Sequence, residues 1–172
     1  MAAVNFEFKA KTAQPDILEK KLLGLGPEFI GLDNQRDTYF NVPTGRLKLR
    51  EGNIENSLIY YERHNTAGAK QSDILLYHHS PDPSLKEILV KLHGIKVVVD
   101  KQRKIYFIGN VKFHFDHVAS LGTFVEVEAI DRDGTIGVDK LKEQCLYYAA
   151  LFEIEPEDYI AFSYSDMLMG KQ

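Results

Sequence analysis

The chain has no tryptophan, a single cysteine and only six prolines among 172 residues. One cysteine cannot close an internal disulfide, so the fold does not depend on an oxidising compartment. No apolar run approaches the roughly 20 residues that cross a bilayer, and residues 1–11 contain no apolar segment of signal-peptide length. A cytoplasmic location is expected, with no membrane partner. An excess of positive charge is also missing: 21 Lys plus Arg stand against 25 Asp plus Glu, a net charge of −4. Proteins that coat nucleic-acid polymers rely on a large basic excess, so that class of partner is not expected. There is no linker-like stretch and no internal repeat. Gly68-Ala69-Lys70-Gln71-Ser72 lacks the Gly-x4-Gly-Lys-Ser spacing of a P-loop. With 44% hydrophobic and 27% charged residues, residues 1–172 have the balance of one globular domain with a real core.

The dominant pattern is alternation, the mark of strands with one buried face. Val4, Phe6, Phe8 and Ala10 alternate with Asn5, Glu7, Lys9 and Lys11. Arg46, Lys48 and Arg50 flank Leu47 and Leu49, while Val111, Phe113 and Phe115 alternate with Lys112, His114 and Asp116. Glu126 and Glu128 share a face opposite Val125, Val127 and Ala129. Residues 58–63 and 97–108 are strand-like, and 37–40 and 73–77 predict short strands. Segments 53–57 and 64–72 read as hairpin loops. Three helices are predicted: 15–23, ended by Gly24; 83–93, ended by Gly94; and about 138–152. The third places Val138, Leu141, Cys145, Tyr148 and Phe152 on one side, which makes Cys145 a small core residue. His78-His79 reads as a surface pair. His117 points away from His114 and Asp116, which argues against a zinc cluster there.

Any one alternating strand is explained by a sheet with a solvated face. Taken together, the polar faces mix closely spaced Lys and Arg with closely spaced Glu and Asp. Closed into a barrel with these faces inward, they make a charged tunnel, and buried charges must be paired or bind ions. Glu7, Glu126 and Glu128 are hard oxygen donors suited to Mg²⁺ or Mn²⁺. Lys9, Lys48, Arg50, Lys101 and Arg103 supply cations for phosphate oxygens. A polyphosphate with a divalent metal fits both sets.

At these residues the chain resembles the CYTH family, which contains class IV adenylate cyclases, thiamine triphosphatases and other triphosphate tunnel enzymes. Asn5-Phe6-Glu7-Phe8-Lys9 occupies the position of the family's first-strand E-x-E-x-K signature. Asp37-Thr38-Tyr39-Phe40, followed by Gly45-Arg46-Leu47-Lys48-Leu49-Arg50-Glu51, is similar to the next signature. Lys101-Gln102-Arg103 resembles the K-x-R strand, and His114-Phe115-Asp116 the acidic strand after it. The run from Leu121 to Glu128 is similar to the closing E-x-E strand. The resemblance implies an α+β fold: an antiparallel closed barrel of about eight strands with about three flanking helices. It implies Glu7, Asp116, Glu126 and Glu128 as ligands for Mg²⁺ or Mn²⁺. Lys9, Lys48, Arg50, Lys101 and Arg103 become phosphate ligands, with Lys11, Arg46 and Arg63 as additions. The implied partner is a small molecule carrying a triphosphate, ATP or tripolyphosphate. The overall look is most similar to class IV adenylate cyclases, with a triphosphatase or a non-catalytic polyphosphate binder as alternatives. No residue is singled out as catalytic, and the oligomeric state stays open, a dimer included.

The chain departs from that pattern at Asn5, which stands where the family's first glutamate does. An amide oxygen is a weaker ligand than a carboxylate, and magnesium gives up water reluctantly. Phosphate oxygens of a bound triphosphate would make up part of the deficit. Asn5→Glu is therefore expected to raise Mn²⁺ affinity in the substrate-free protein and to raise it less with tripolyphosphate present. Titrations of both forms check this; equal affinities without triphosphate would show that position 5 does not serve the metal.

Overall fold

The computed structural model describes residues 2–62 and 67–170. Its first strand, β1 (Ala2–Lys11), shows how alternation is resolved. Phe6, Phe8 and Ala10 pack into an outer core, while Glu7 and Lys9 face a cavity inside the sheet. Seven further strands follow the same logic: β2 (Glu28–Phe40), β3 (Arg46–Glu51), β4 (Asn56–Glu62), β5 (Lys70–His78), β6 (Ile95–Ile108), β7 (Val111–Val118) and β8 (Gly122–Asp131). All neighbours are antiparallel, and the order β1-β5-β4-β3-β2-β6-β7-β8 closes into a barrel. Closure leaves no unpaired edge and divides side chains into an inner and an outer set.

Helices cover parts of the apolar exterior. In α1 (Pro15–Leu23), Pro15 opens the first turn and Lys20 and Lys21 lie in the last, favourable ends for the helix dipole. Helix α2 (Pro83–His93) is capped by the Asp82 carboxylate, which accepts from the Ser84 amide at 2.9 Å. It ends at Gly94, whose φ of 70° suits glycine. Leu89 of α2 packs with Phe40 and Leu49, so the leucines between Arg46, Lys48 and Arg50 lie on the outer face. Helix α3 (Val138–Leu151) buries Leu141, Cys145, Tyr148 and Ala149 against β1 and β8. The Cys145 thiol donates to the Phe6 carbonyl at 3.0 Å, as a core residue would.

Among the described residues there are four α-helices, one more than the sequence predicts, and a 3₁₀ turn at Pro156–Asp158. The additional helix, α4 (Tyr164–Leu168), is five residues long, too short to carry a periodic stripe. Its Tyr164 packs with Phe124, Tyr39, Val99 and Val118. Strand β2 is also far longer than the expected 37–40. Its first half is hidden from pattern reading by a register shift between Phe29 and Gly31 and by the exposure of Phe29 and Leu32. Of the loop expected at 64–72, residues 63–66 lie outside the described residues, and β5 begins at Lys70. No helix is long and apolar enough to cross a membrane among the described residues.

The outer core depends on aromatic packing between β7 and α3. Phe113 is fully buried and meets Tyr148 edge-on at 4.7 Å and Phe152 at 6.4 Å. Phe113→Ala is expected to cost about 3–5 kcal/mol in urea unfolding. A loss under about 1 kcal/mol would show that α3 does not brace the barrel at this contact.

Candidate functional site

The barrel encloses a cavity of about 430 Å³. Two buried aspartates organise its cations. Asp37 on β2 stands opposite Arg50 on β3 and accepts from its Nε at 2.9 Å and its Nη2 at 2.8 Å. The same carboxylate takes the Lys101 ammonium at 2.6 Å and lies 3.8 Å from Lys48 Nζ. Burial would raise the Asp37 pKa, but Arg50, Lys101 and Lys48 outweigh it and hold the group well below the carboxylate range. Asp116 on β7 accepts two bonds from Arg103, both at 2.7 Å, and a third from the Tyr164 hydroxyl at 2.7 Å.

Positive charge still exceeds negative around the cavity. Its walls carry Lys9, Lys48, Arg50, Lys101, Arg103, Lys112 and Arg132, against Glu7, Asp37, Glu55, Glu126 and Glu128. Lys9 Nζ sits 3.9 Å above the Tyr164 ring and 4.0 Å from Glu126. Glu55 pairs with Lys112 and lies 3.4 Å from Arg50; these cations overcome burial and bring its pKa to about 2. Lys101 shows the strain of crowding. Burial, with Arg50, Arg103 and Lys48 nearby, lowers its pKa to about 7 even though Asp37 pulls the other way.

The carboxylates gather on neighbouring strands. Across β1 and β8, Lys9 faces Glu126 and Glu7 faces Glu128; across β7 and β8, His114 faces Glu126. His114, Glu126 and Glu128 bring one donor atom each within 4.8 Å of one another. Burial and the charges of Glu126 and Glu7 push the Glu128 carboxyl above its usual range. Burial would do the same to Glu126, but Lys9 and the other cations beside it hold it well below. A carboxylate crowded by like charges is stabilised by a divalent cation, so this donor set fits Mg²⁺ or Mn²⁺. Asn5 is buried and lines the same cavity, one strand repeat from Glu7.

The remaining wall is apolar. Ile59 on β4 faces Leu76 on β5, Ile74 faces Tyr61 on β4 and Ala3 on β1, and all five line the cavity. The interior therefore has a charged side and an apolar side.

The cavity brings together Glu7, Glu126 and Glu128 with Lys9, Lys48, Arg50, Lys101 and Arg103. Three other candidates sit elsewhere. Asp116 is taken up by Arg103 and Tyr164, which makes it a holder of a cation. Arg46 pairs with Asp166 of α4 at 2.5 Å, because α4 meets the barrel at that strand end. Lys11 is exposed at the end of β1, 5.9 Å from the Phe124 ring centre. Arg63 lies outside the described residues. The structure adds Asp37, Glu55, Lys112, His114 and Tyr164. Lys112 and His114 were within reach of the alternation that singled out Asp116, and Asp37 already stood in the strand predicted at 37–40. Tyr164 left no periodic signal. His78 lines the cavity although its neighbour His79 turns away to the Arg50 carbonyl.

No curated protein sequence matches the chain. Solved structures do. PH1012 from Pyrococcus horikoshii superposes with a TM-score of 0.79 at 24% identity, covering 94% of this chain and 98% of the other. A Vibrio parahaemolyticus protein provisionally assigned as an adenylate cyclase gives 0.77 at 18%, covering 96% and 97%. An adenylyl cyclase candidate from Hippeastrum with a dominant triphosphatase activity gives 0.63 at 13%, covering 99% and 97%. These likenesses establish the fold. The profile of the CYTH domain matches residues 3–164, from the first strand to Tyr164, which lines the cavity, and the chain belongs to the CYTH family.

Proposed function

We propose that the barrel binds an organic triphosphate together with a divalent metal, and that the reaction is that of a class IV adenylate cyclase: ATP to cyclic AMP and pyrophosphate. The observation that carries this reading is the order of groups along β1 and β8. Ala3 lies at one end, followed by Asn5 with Ile130, then Glu7 with Glu128, and Lys9 with Glu126 beside Tyr164 at the other. Strand rise of about 3.3 Å per residue spreads these groups over a length comparable to a nucleoside triphosphate. With the organic group on the apolar wall, the chain of phosphates runs toward Lys9, Lys101 and Arg103. The phosphorus nearest the sugar then falls beside the carboxylates.

Glu7, Glu126 and Glu128 would hold the metal, which when bound supplies Lewis-acid polarisation of phosphoryl oxygens. Lys9, Lys101 and Arg103 neutralise the departing pyrophosphate, with Arg103 fixed in place by Asp116 and Arg50 by Asp37. The apolar wall excludes water from the sugar side and leaves the ribose hydroxyl as the nearer nucleophile. Hydrolysis of the same substrate is the second reading. It is favoured by the gathering of cations where the terminal phosphate would sit, since they would equally stabilise attack there. One fold hosts both chemistries, so products must decide.

Incubation with ATP and Mn²⁺ or Mg²⁺ is expected to give cyclic AMP and pyrophosphate. ADP and phosphate would replace the first reading by the second, and unchanged ATP would leave a binding module. Lys101 supplies an independent test of phosphate placement. With its pKa brought down to about 7, chiefly by burial, Lys101 is expected to lose its proton as pH rises past neutrality in the empty protein. A bound polyanion favours the charged form, so binding at pH 8 should take up a proton, and affinity should fall as pH rises above 7. Calorimetry with tripolyphosphate at pH 8 in two buffers of different ionisation enthalpy measures the uptake, which Lys101→Met should abolish. A wild-type heat independent of buffer would remove Lys101 from the phosphate site.

A further inference from the structure

We infer that His114 is a direct ligand of the metal, so that the site takes a first-row transition ion, Mn²⁺ among them, in preference to Mg²⁺. This rests on the reading that the cavity holds a divalent ion and goes beyond it by naming a nitrogen donor and the selectivity it brings.

The sequence pattern offers only carboxylates for a metal, and it lacks one of them at Asn5. Within the barrel, His114 adds a nitrogen donor at the level of Glu126 and Lys9. It lies on β7 directly opposite Glu126 on β8, with the inward parity it shares with Lys112 and Asp116. The side chain is 1% exposed, and neither ring nitrogen has a hydrogen-bond partner. A buried imidazole beside two carboxylates ordinarily donates to one of them, and orphaned buried nitrogens are rare. Here Nδ1 stops 3.9 Å from Glu128 Oε1, too far for a hydrogen bond. Donors bound to one ion at about 2.1 Å each are ~3–4 Å apart, depending on the angle between them. The observed gap has that size, and His114, Glu126 and Glu128 together span no more than 4.8 Å.

The surroundings offer the ring no other use. Arg103, Lys112 and Arg50 are the cations around it, and all three are donors with carboxylate partners of their own. They give an imidazole nothing to donate to. Neutral imidazole is a good ligand for borderline transition ions, whereas Mg²⁺ keeps to oxygen and to its own waters. One histidine with two glutamates therefore shifts preference away from Mg²⁺ without losing the anionic charge that a divalent ion requires.

The experiment is pulsed EPR on Mn²⁺ bound to the intact protein, with no triphosphate added. Directly coordinated imidazole produces ¹⁴N modulation of the manganese signal. That modulation is expected in the wild type and should vanish in His114→Asn, whose Mn²⁺ affinity should fall by roughly tenfold or more. Mg²⁺ competition should be weak in the wild type and markedly stronger in the variant. Bound Mn²⁺ without nitrogen coupling in the wild type would overturn the assignment, whatever the variant does. Failure to bind Mn²⁺ while tripolyphosphate still binds would also overturn it and leave the triphosphate site standing. Loss of both would instead count against the triphosphate reading itself.

Discussion

The barrel depends on holding several cations in a space where none of them is well solvated. Desolvating a single charge costs several kcal/mol, and like charges brought together add to that. Asp37 and Asp116 make the arrangement possible. Asp37 takes both arms of Arg50 and the Lys101 ammonium, and Asp116 takes Arg103 and the Tyr164 hydroxyl. Each aspartate links a consecutive strand and an element distant in sequence: Asp37 joins β2 to β3 and to β6, and Asp116 joins β7 to β6 and to α4. Each arginine makes two hydrogen bonds to its aspartate, which fixes the guanidinium plane. The cations remain in excess, and the Lys101 pKa is lowered first by burial and then by Arg50, Arg103 and Lys48, against the pull of Asp37.

This interior is tolerable because stability is built on the other side of the sheet. Phe6, Phe8, Phe113, Phe115, Val125 and Val127 alternate with the charged groups and are sealed under α1 and α3. Leu49 and Phe40 do the same under α2. The arrangement inverts that of a small barrel filled by apolar side chains. Core and site are therefore built from the same strands but from opposite faces, and a substitution of either parity affects mainly one of them. Helix α4 is the exception, because Tyr164 packs in an apolar cluster while its ring and hydroxyl touch Lys9 and Asp116.

Alternation in the sequence determined strands with charged and apolar residues on opposite faces; that the sheet closes was implied by the family resemblance and is seen in the strand order. It also put Glu7, Lys9, Lys48, Arg50, Glu126 and Glu128 on the charged faces of their strands, since parity is a local property, while Lys101 and Arg103 came from the resemblance to the family's K-x-R strand. Which of these charges meet was decided by the barrel. Register brings Asp37 to Arg50 and His114 to Glu126, and closure brings Lys101 to Asp37 across 64 residues. The same geometry removed Asp116 and Arg46 from the cavity by giving them partners in Arg103 and in α4. The apolar wall of Ile59, Ile74 and Leu76 was invisible for a related reason: an inward isoleucine reads as ordinary core until the strand beside it is known. Spacing along the chain fixes the face a side chain occupies; only the closed sheet fixes its neighbour, and the chemistry of this cavity lies in those neighbours.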